Sequence, residues 1–148
     1  MSPPDLELTA RFAADLAALW AGKGKLGLAV SGGPDSLALL LLARAALPGR
    51  VEAATVDHGL RPESADEAVM VAAVCARLGV PHRTLAVDVA QGNIQAQARA
   101  ARYAALAVWM GEQGIEALAT AHHADDQAET LLLRLNRGSG VVDRKSVV

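Results

Sequence analysis

Hydrophobic and polar positions along the chain alternate between two spacings, one typical of buried strands and one typical of helices. Four short segments have the length of strands: 25–30, 51–56, 82–87 and 115–120, and the first is an apolar run consistent with a buried strand. Longer stretches with an apolar face at helical spacing surround them: 6–20, 35–46, 64–78, 93–113 and 125–135. This alternation predicts a Rossmann-like, three-layer α/β/α fold in which helices cover both faces of a parallel sheet.

Local signals set expectations for where the helices begin and end. Ser64, followed three positions later by Glu67, matches a capping box at the start of the third helix. Gly79 follows the same helix and is expected to end it. Pro48 and Gly49 are expected to end the second helix.

Composition narrows the class of protein only slightly. The 148 residues suit one domain, and the net charge of −2 predicts no nucleic-acid partner but leaves room for a local basic patch. Cys75 is the only cysteine, which excludes an intramolecular disulfide and a multi-cysteine metal site within the chain. The start has no signal-peptide pattern, and the longest apolar run, Leu37 to Ala43, is too short for a membrane span. We expect a soluble, cytoplasmic protein.

Chemically active residues follow three of the predicted strands. Ser31–Ser36 comes after the first strand, Asp57–Arg61 after the second and His122–Asp126 after the fourth. Open α/β sheets bind ligands at the carboxyl ends of their strands, near a switch in strand order. The sequence therefore predicts a ligand site at this edge of the sheet.

The loop Ser31-Gly32-Gly33-Pro34-Asp35-Ser36 has the features of a phosphate cradle. Its glycines permit turns and close approach of a phosphate, and the following helix start attracts an anion. The serine hydroxyls are expected to donate to phosphate oxygens. Asp35 would repel phosphate unless it holds Mg²⁺, which bridges to the phosphates. The loop lacks the Gly-Lys-Ser/Thr ending of a Walker A motif, and the alternative is an ordinary turn with Asp35 as the N-cap.

This loop resembles the pyrophosphate loop of the PP-loop (N-type) ATP pyrophosphatases. The resemblance implies that Ser31, Gly32, Gly33, Pro34, Asp35 and Ser36 bind ATP. It also implies cleavage of ATP between the α- and β-phosphates and transfer of AMP to a substrate oxygen. The fold expected from this family is that of the adenine nucleotide alpha hydrolases.

Three further segments narrow the resemblance: Val56–Arg61, Gly92–Tyr103 and Ala119–Thr130. With the loop, they look like the tRNA(Ile)-lysidine synthetases over about residues 25–140. That family implies adenylation of the C2 oxygen of the wobble cytidine in tRNA(Ile) with a CAU anticodon. Free L-lysine then displaces AMP through its ε-amine. In the family, positions that match Arg102, Asp126 and Glu129 are associated with the lysine site.

The residues themselves are compatible with these roles. On the predicted fifth helix, Asp125 and Asp126 would lie within one turn of Glu129, and such carboxylates can hold an ammonium group or Mg²⁺ or accept the proton of the attacking amine. The alternative is charge placement at a helix N-terminus. Arg102 has the planar fork that suits the lysine α-carboxylate, and with Arg99 it could also meet tRNA phosphate.

The histidines have weaker assignments. We expect His123 to lie in a loop, together with His122, and to face the nucleotide or the cytidine. His58 is expected to contact adenine or phosphate, with an ordinary turn role next to Gly59 an equal alternative. His82 is expected at the surface without a partner.

The predicted PP-loop domain covers residues 1–140, followed by an atypical tail over 141–148, which is expected to be a truncation, an artificial end of the chain or the product of a frameshift. Two other functions stay open. One is a nucleotide-binding module without catalysis. The other is tRNA 2-thiolation by a related PP-loop protein, against which the single cysteine argues. Cys75 and Trp109 are expected in the core.

Overall fold

A computed structural model of the chain describes residues 4–59, 61–88, 94–124, 127–136 and 140–147. Within these ranges lie the following elements: α1 (Leu6–Leu19), β1 (Lys25–Ala29), α2 (Pro34–Ala46), β2 (Val51–Asp57), α3 (Pro62–Leu78), β3 (His82–Ala86), α4 (Ile94–Gln113), β4 (Ile115–Ala124), β5 (Gln127–Asn136) and β6 (Gly140–Val147). None of the helices in these ranges is long and apolar enough to cross a membrane. The first eight elements follow the order predicted from the hydrophobic pattern.

The strands form one sheet in the order β3-β2-β1-β4-β5-β6. The four strands from β3 to β4 are parallel, whereas β5 is antiparallel to β4 and β6 is antiparallel to β5. The strand order switches beside β1, because β2 and β3 lie on one side of it and β4 lies on the other. Ligand sites of open α/β sheets occur at such a switch point.

Helices cover both faces of the sheet, as predicted. On one face, Leu26 and Leu28 of β1 pack in a buried cluster with residues of three helices: Leu16 of α1, Leu40 of α2 and Val71 of α3. On the other face, Ala29 packs in a second cluster with Leu106, Trp109 and Met110 of α4. Because consecutive strand residues point to opposite faces, this division confirms the three-layer α/β/α arrangement.

The predicted start of α3 is wrong, whereas its predicted end is confirmed. The capping box at Ser64 is wrong, because α3 begins at Pro62 and its N-cap is Arg61, which makes no side-chain capping bond. Proline suits the first helical position, since its fixed φ matches the helix and its missing N–H has no partner to lose there. The C-cap at Gly79 is confirmed, with φ 71° in the left-handed region that glycine adopts without strain.

The helix predicted over 125–135 is wrong, because Gln127–Asn136 forms the strand β5. Leu132 lies in the core layer below α1, α2 and α3, whereas Leu133 lies in the layer below α4. Burial of consecutive residues on opposite faces fits the strand period of two. Strands β4 and β6 flank β5 and pair with it on both sides, so this tertiary pairing overrides the local helical preference. Asp125 and Asp126 lie outside the described residues.

Candidate functional site

A pocket of about 160 Å³ opens at the carboxyl ends of β1 and β2. Its wall combines the two strand ends, the loop after β1, the start of α3 and one residue of α4: Ala29, Val30, Ser31, Ala54, Thr55, Val56, His58, Arg61, Ser64, Glu67 and Arg102. The pocket therefore lies beside the switch in strand order. Three of the predicted site residues, Ser31, His58 and Arg102, come together in it.

The two serines of the loop after β1 have different positions. Ser36 is buried, with 5% of its surface exposed, and its hydroxyl oxygen accepts a hydrogen bond from the Ser31 N–H at 3.0 Å. Ser31 is exposed at the pocket, and its hydroxyl accepts a hydrogen bond from the Gly33 N–H at 3.4 Å. Ser36 therefore stabilises the loop conformation from its buried side, while Ser31 presents its side chain to the pocket.

Helix α2 begins directly after this loop, at Pro34. Its N-cap is Gly33, and no side chain caps the helix by hydrogen bonding, so the alternative of Asp35 as N-cap is wrong. Asp35 lies in the first turn and is exposed. A helix start without a side-chain cap keeps its partial positive charge directed at the loop, which favours an anion there.

The two glycines of the loop are distinguished by their surroundings. A Cβ atom added at Gly32 would lie 3.1 Å from Cγ of Glu67 and 3.2 Å from Cε of Met70, both on α3. At Gly33 the nearest atom would be the Ser31 hydroxyl at 3.6 Å, an ordinary contact. Neither glycine has a positive φ. A side chain at position 32 would therefore need the Glu67 and Met70 side chains of α3 to shift by a few tenths of an ångström.

Arg102 reaches the pocket from α4, on the opposite face of the sheet from α2 and α3. Its Nη2 donates to the Thr120 hydroxyl of β4 at 3.3 Å. Burial lowers the pKa of the Arg102 guanidinium, Tyr103 raises it and the charge of Arg99 lowers it. The ordinary pKa of arginine is so high that Arg102 stays charged near neutral pH, and it brings a half-buried cation to the pocket.

His58 lies in the turn that follows β2 and also lines the pocket. The carboxylate of Asp57 accepts a hydrogen bond from the Gly59 N–H at 2.9 Å, and Gly59 has a φ of 68°. A contact between His58 and adenine or phosphate stays a prediction.

The segment after β4 differs from its prediction. Strand β4 continues to Ala124, so His122 and His123 lie within a strand and the predicted loop position is wrong. The backbone of His122 is paired opposite Glu129 of β5. Since Glu129 lies in a strand, the predicted helical spacing between it and the aspartates is also wrong. Asp126 itself lies outside the described residues.

One hydrogen-bonded pair of polar side chains at the pocket was not predicted from the sequence. Thr55 of β2 is 4% exposed and lines the pocket, and its hydroxyl Oγ1 lies 2.9 Å from Nε2 of His82 on β3. His82 is half-buried, so the expectation of a surface histidine without a partner is wrong. Burial lowers its pKa from the ordinary value. The sequence carried no signal for this pair, because it depends on the parallel register of β2 and β3, which places His82 opposite Ala53.

A switch-point pocket beside a glycine-containing loop and an open helix start is the arrangement of a nucleotide-binding α/β domain. The PP-loop domain family matches residues 6–146, and the chain belongs to that family. This confirms the family expected from the loop Ser31–Ser36.

Curated relatives point to one branch of the family. The chain is 57% identical over 132 residues to the tRNA(Ile)-lysidine synthase of Novosphingobium aromaticivorans, covering 88% of this chain and 40% of the relative. For the synthase of Zymomonas mobilis the identity is 59% over 120 residues, covering 80% and 36%. For that of Bradyrhizobium sp. it is 49% over 147 residues, covering 95% and 41%. The chain thus spans about two fifths of the length of these relatives.

Solved structures share the fold at low sequence identity. A U34-tRNA thiolase from Methanococcus maripaludis matches with a TM-score of 0.65 at 17% identity, over 82% of this chain and 48% of that one. An NH3-dependent NAD synthetase from Campylobacter jejuni matches with a TM-score of 0.58 at 15% identity, over 77% and 54%. These likenesses support the α/β fold.

Proposed function

We propose that this domain binds ATP in the switch-point pocket and transfers AMP to the C2 oxygen of the wobble cytidine in tRNA(Ile) with a CAU anticodon. Free L-lysine then displaces AMP to form lysidine. The observation that carries the proposal is the convergence of the Ser31–Ser36 loop, His58 and Arg102 on one pocket, in a chain 57% identical to a tRNA(Ile)-lysidine synthase. The activity in the name of that relative is thereby proposed for this domain.

The pocket divides naturally into a phosphate side and a nucleoside side. Exposed Ser31 and the open start of α2 offer hydroxyl and backbone donors to the phosphates. The ends of β1 and β2 line the other side of the pocket with apolar residues, of which Val56 is partly exposed and offers a surface against which a base can pack. We assign His58, which lies at the end of β2, to the nucleotide as well.

Asp35 would hold Mg²⁺ beside the phosphates. It is an exposed carboxylate in the first turn of α2, and Mg²⁺ accepts one or two carboxylates together with phosphate oxygens and water. A single carboxylate fits Mg²⁺ here, because phosphate oxygens and water would supply the remaining ligands. When bound, Mg²⁺ would neutralise charge on the departing pyrophosphate.

The two chemical steps balance without a further reagent. In the first, the cytidine O2 attacks the α-phosphorus of ATP, and the bond from that phosphorus to the bridging oxygen breaks to release pyrophosphate. In the second, the neutral ε-amine of lysine attacks C2, and O2 leaves with AMP. The amine proton requires an acceptor, a role we propose for Asp126 or Glu129.

The lysine substrate carries a carboxylate that needs a cation. Arg102 is the half-buried cation of the pocket, and a guanidinium pairs with a carboxylate through two parallel hydrogen bonds. Exposed Arg61 at the pocket wall and exposed Arg99, one helical turn from Arg102, would meet tRNA phosphates. A cytoplasmic location accompanies this function as a prediction.

Nothing favours thiolation over lysidine formation. Cys75 is the only cysteine of the chain, and it lies on the buried face of α3, in the core cluster between this helix and the sheet. Burial raises the pKa of its thiol to about 11, so the nucleophilic thiolate is scarce near neutral pH. A sulfur-carrying role for this residue would require the helix to leave the sheet.

The test is release of AMP by the complete gene product, with tRNA(Ile) bearing CAU as substrate. We expect AMP and pyrophosphate in equal amounts only when lysine, ATP and this tRNA are all present. The matched control is the same tRNA with a GAU anticodon, which lacks the wobble cytidine. Absence of lysine-dependent AMP release would sink the proposal. Calorimetry with ATP and Mg²⁺ on the 148-residue chain separates loss of binding from loss of catalysis.

A further inference from the structure

Thr55 and His82 form a hydrogen-bonded pair between two neighbouring strands at the wall of the pocket. The Thr55 hydroxyl lies 2.9 Å from Nε2 of His82. Strands β2 and β3 pair in parallel with Ala53 opposite His82 and Thr55 opposite Thr84, so the ring extends forward along the sheet to reach the hydroxyl. The pair spans the last strand junction before the edge of the sheet.

The pair differs from the rest of the β2 wall in polarity. Thr55 is 4% exposed, and alternation along β2 puts its side chain on the sheet face of Ala53, opposite to the face on which Ala54 and Val56 pack toward α4. A buried hydroxyl needs a partner, and His82 supplies one. His82 is itself only half-buried and does not line the pocket, so it can act on a bound ligand only through Thr55.

Thr55 lies on the nucleoside side of the pocket. The phosphate loop follows β1, whereas Thr55 is on the adjacent strand β2, one strand spacing of about 4.8 Å away. An uncharged hydroxyl beside the apolar side chain of Val30, the residue that follows β1, suits one polar edge of a base or sugar, because such groups fix the orientation of a ligand held by apolar contacts.

We propose that His82 is a positioning residue that holds the Thr55 hydroxyl in place to hydrogen-bond the nucleoside part of ATP. This inference rests on the proposed binding of ATP in the same pocket. The contact with the nucleotide belongs to Thr55, and His82 restricts the rotation of its hydroxyl.

Both neutral tautomers of His82 serve this role. With the proton on Nδ1, Nε2 accepts from Thr55, and the hydroxyl presents only lone pairs to the ligand. With the proton on Nε2, the ring donates to Thr55, and the hydroxyl keeps its hydrogen for the ligand. Burial lowers the pKa of His82, which keeps the ring neutral at physiological pH. In either tautomer, the His82 ring determines before ATP binds whether the Thr55 hydroxyl accepts a hydrogen bond from the ligand or donates one to it.

The test is a double-mutant cycle on ATP affinity, measured by calorimetry with the 148-residue chain in Mg²⁺. We expect Thr55→Val and His82→Leu each to weaken ATP binding about fivefold, the size of one ordinary hydrogen bond. The double variant should bind no more weakly than Thr55→Val alone, because His82 acts only through the hydroxyl. His82→Gln, whose amide nitrogen or oxygen can replace Nε2, should restore most of the affinity.

Other results overturn the inference in distinguishable ways. If His82→Leu lowers the melting temperature but leaves the ATP Kd unchanged, His82 has only a structural role. If the two losses are additive, His82 does not act through Thr55. If the unchanged chain binds no ATP, the proposed function fails together with this inference.

A second measurement needs no destabilising variant. The ¹⁵N NMR signal of the His82 Nε2, assigned with His82→Gln, should shift when ATP saturates the unchanged chain. A signal that stays in place at saturation would contradict the proposal.

Discussion

The backbone N–H of Ser31 donates to the buried hydroxyl of Ser36 at 3.0 Å and so closes the loop at the end of β1. Ser36 belongs to the first turn of α2, while Ser31 lines the pocket. The hydrogen bond therefore fixes the distance between the helix start and the exposed hydroxyl. Both are the groups that we propose bind the phosphates of ATP.

Replacing Ser36 with alanine should weaken ATP binding by about fivefold. The change removes the acceptor for the Ser31 N–H, and one lost hydrogen bond in a partly buried position costs about 1 kcal/mol before any movement of the loop. Calorimetry with ATP and Mg²⁺ measures the affinity. Thr84→Ala is the matched control, since Thr84 is an exposed hydroxyl on β3 away from the pocket. Equal affinities for Ser36→Ala and the unchanged chain would contradict the role of this bond.

Gly32→Ala should lower the melting temperature, whereas Gly33→Ala should leave it nearly unchanged. The added methyl at position 32 meets Glu67 and Met70 at 3.1 and 3.2 Å, so these two side chains of α3 must shift. At position 33 the nearest atom is 3.6 Å away. Overpacking costs about 1 kcal/mol or more, which thermal unfolding detects readily. Equal melting temperatures for the two variants would show that α3 does not constrain the loop.

Arg102→Leu in the complete gene product should raise the KM for lysine by at least about tenfold, because a charged hydrogen bond contributes about 1.5–3 kcal/mol. The ATP affinity should change far less, since the guanidinium is assigned to the lysine carboxylate. Arg83→Leu is the control. Arg83 is exposed on β3 and pairs with Glu112 at 3.1 Å away from the pocket. A loss confined to ATP binding would move Arg102 from the lysine site to the nucleotide.

Cys75 should make the folding stability depend on pH in the alkaline range. Its pKa is 9.0 in the unfolded reference and about 11 in the fold. As the pH rises, the Cys75 thiol therefore ionises at a lower pH in the unfolded chain than in the folded chain. Stability from this residue is therefore complete below pH 9 and is lost between pH 9 and 11, with about 1 kcal/mol gone at pH 10. Urea unfolding at pH 8 and pH 10 measures the loss. The Cys75→Ala variant should show a smaller difference, and identical pH dependence would refute the burial effect.

The core layers and the first four strands could be predicted because each depends on local pattern. The segment 115–120 follows Gly114 and is rich in apolar residues, and the structure places Ala117, Leu118 and Ala119 fully inside, in a strand that continues to Ala124. The phosphate loop was visible because its residues are contiguous. Cys75 and Trp109 lie in the core as predicted, at 0% and 2% exposure.

The rest depends on partners distant in sequence. The segment 127–136 has a helical composition, and only pairing with β4 and β6 makes it a strand. His82 has no neighbour in sequence that would bond it, and the parallel register supplies Thr55, 27 positions away. The close packing of Glu67 against Gly32 likewise arises between separate elements. The hydrophobic pattern of the sequence alone does not predict such contacts.

The central claim is that AMP is transferred to the C2 oxygen of the wobble cytidine, and an isotope experiment tests it most directly. The tRNA(Ile) carries ¹⁸O at O2 of that cytidine, and the complete gene product converts it with ATP and lysine. Mass spectrometry of the released AMP should show one ¹⁸O atom for each lysidine formed, because the oxygen leaves with the phosphate. AMP without the label, alongside labelled tRNA or labelled pyrophosphate, would contradict the account.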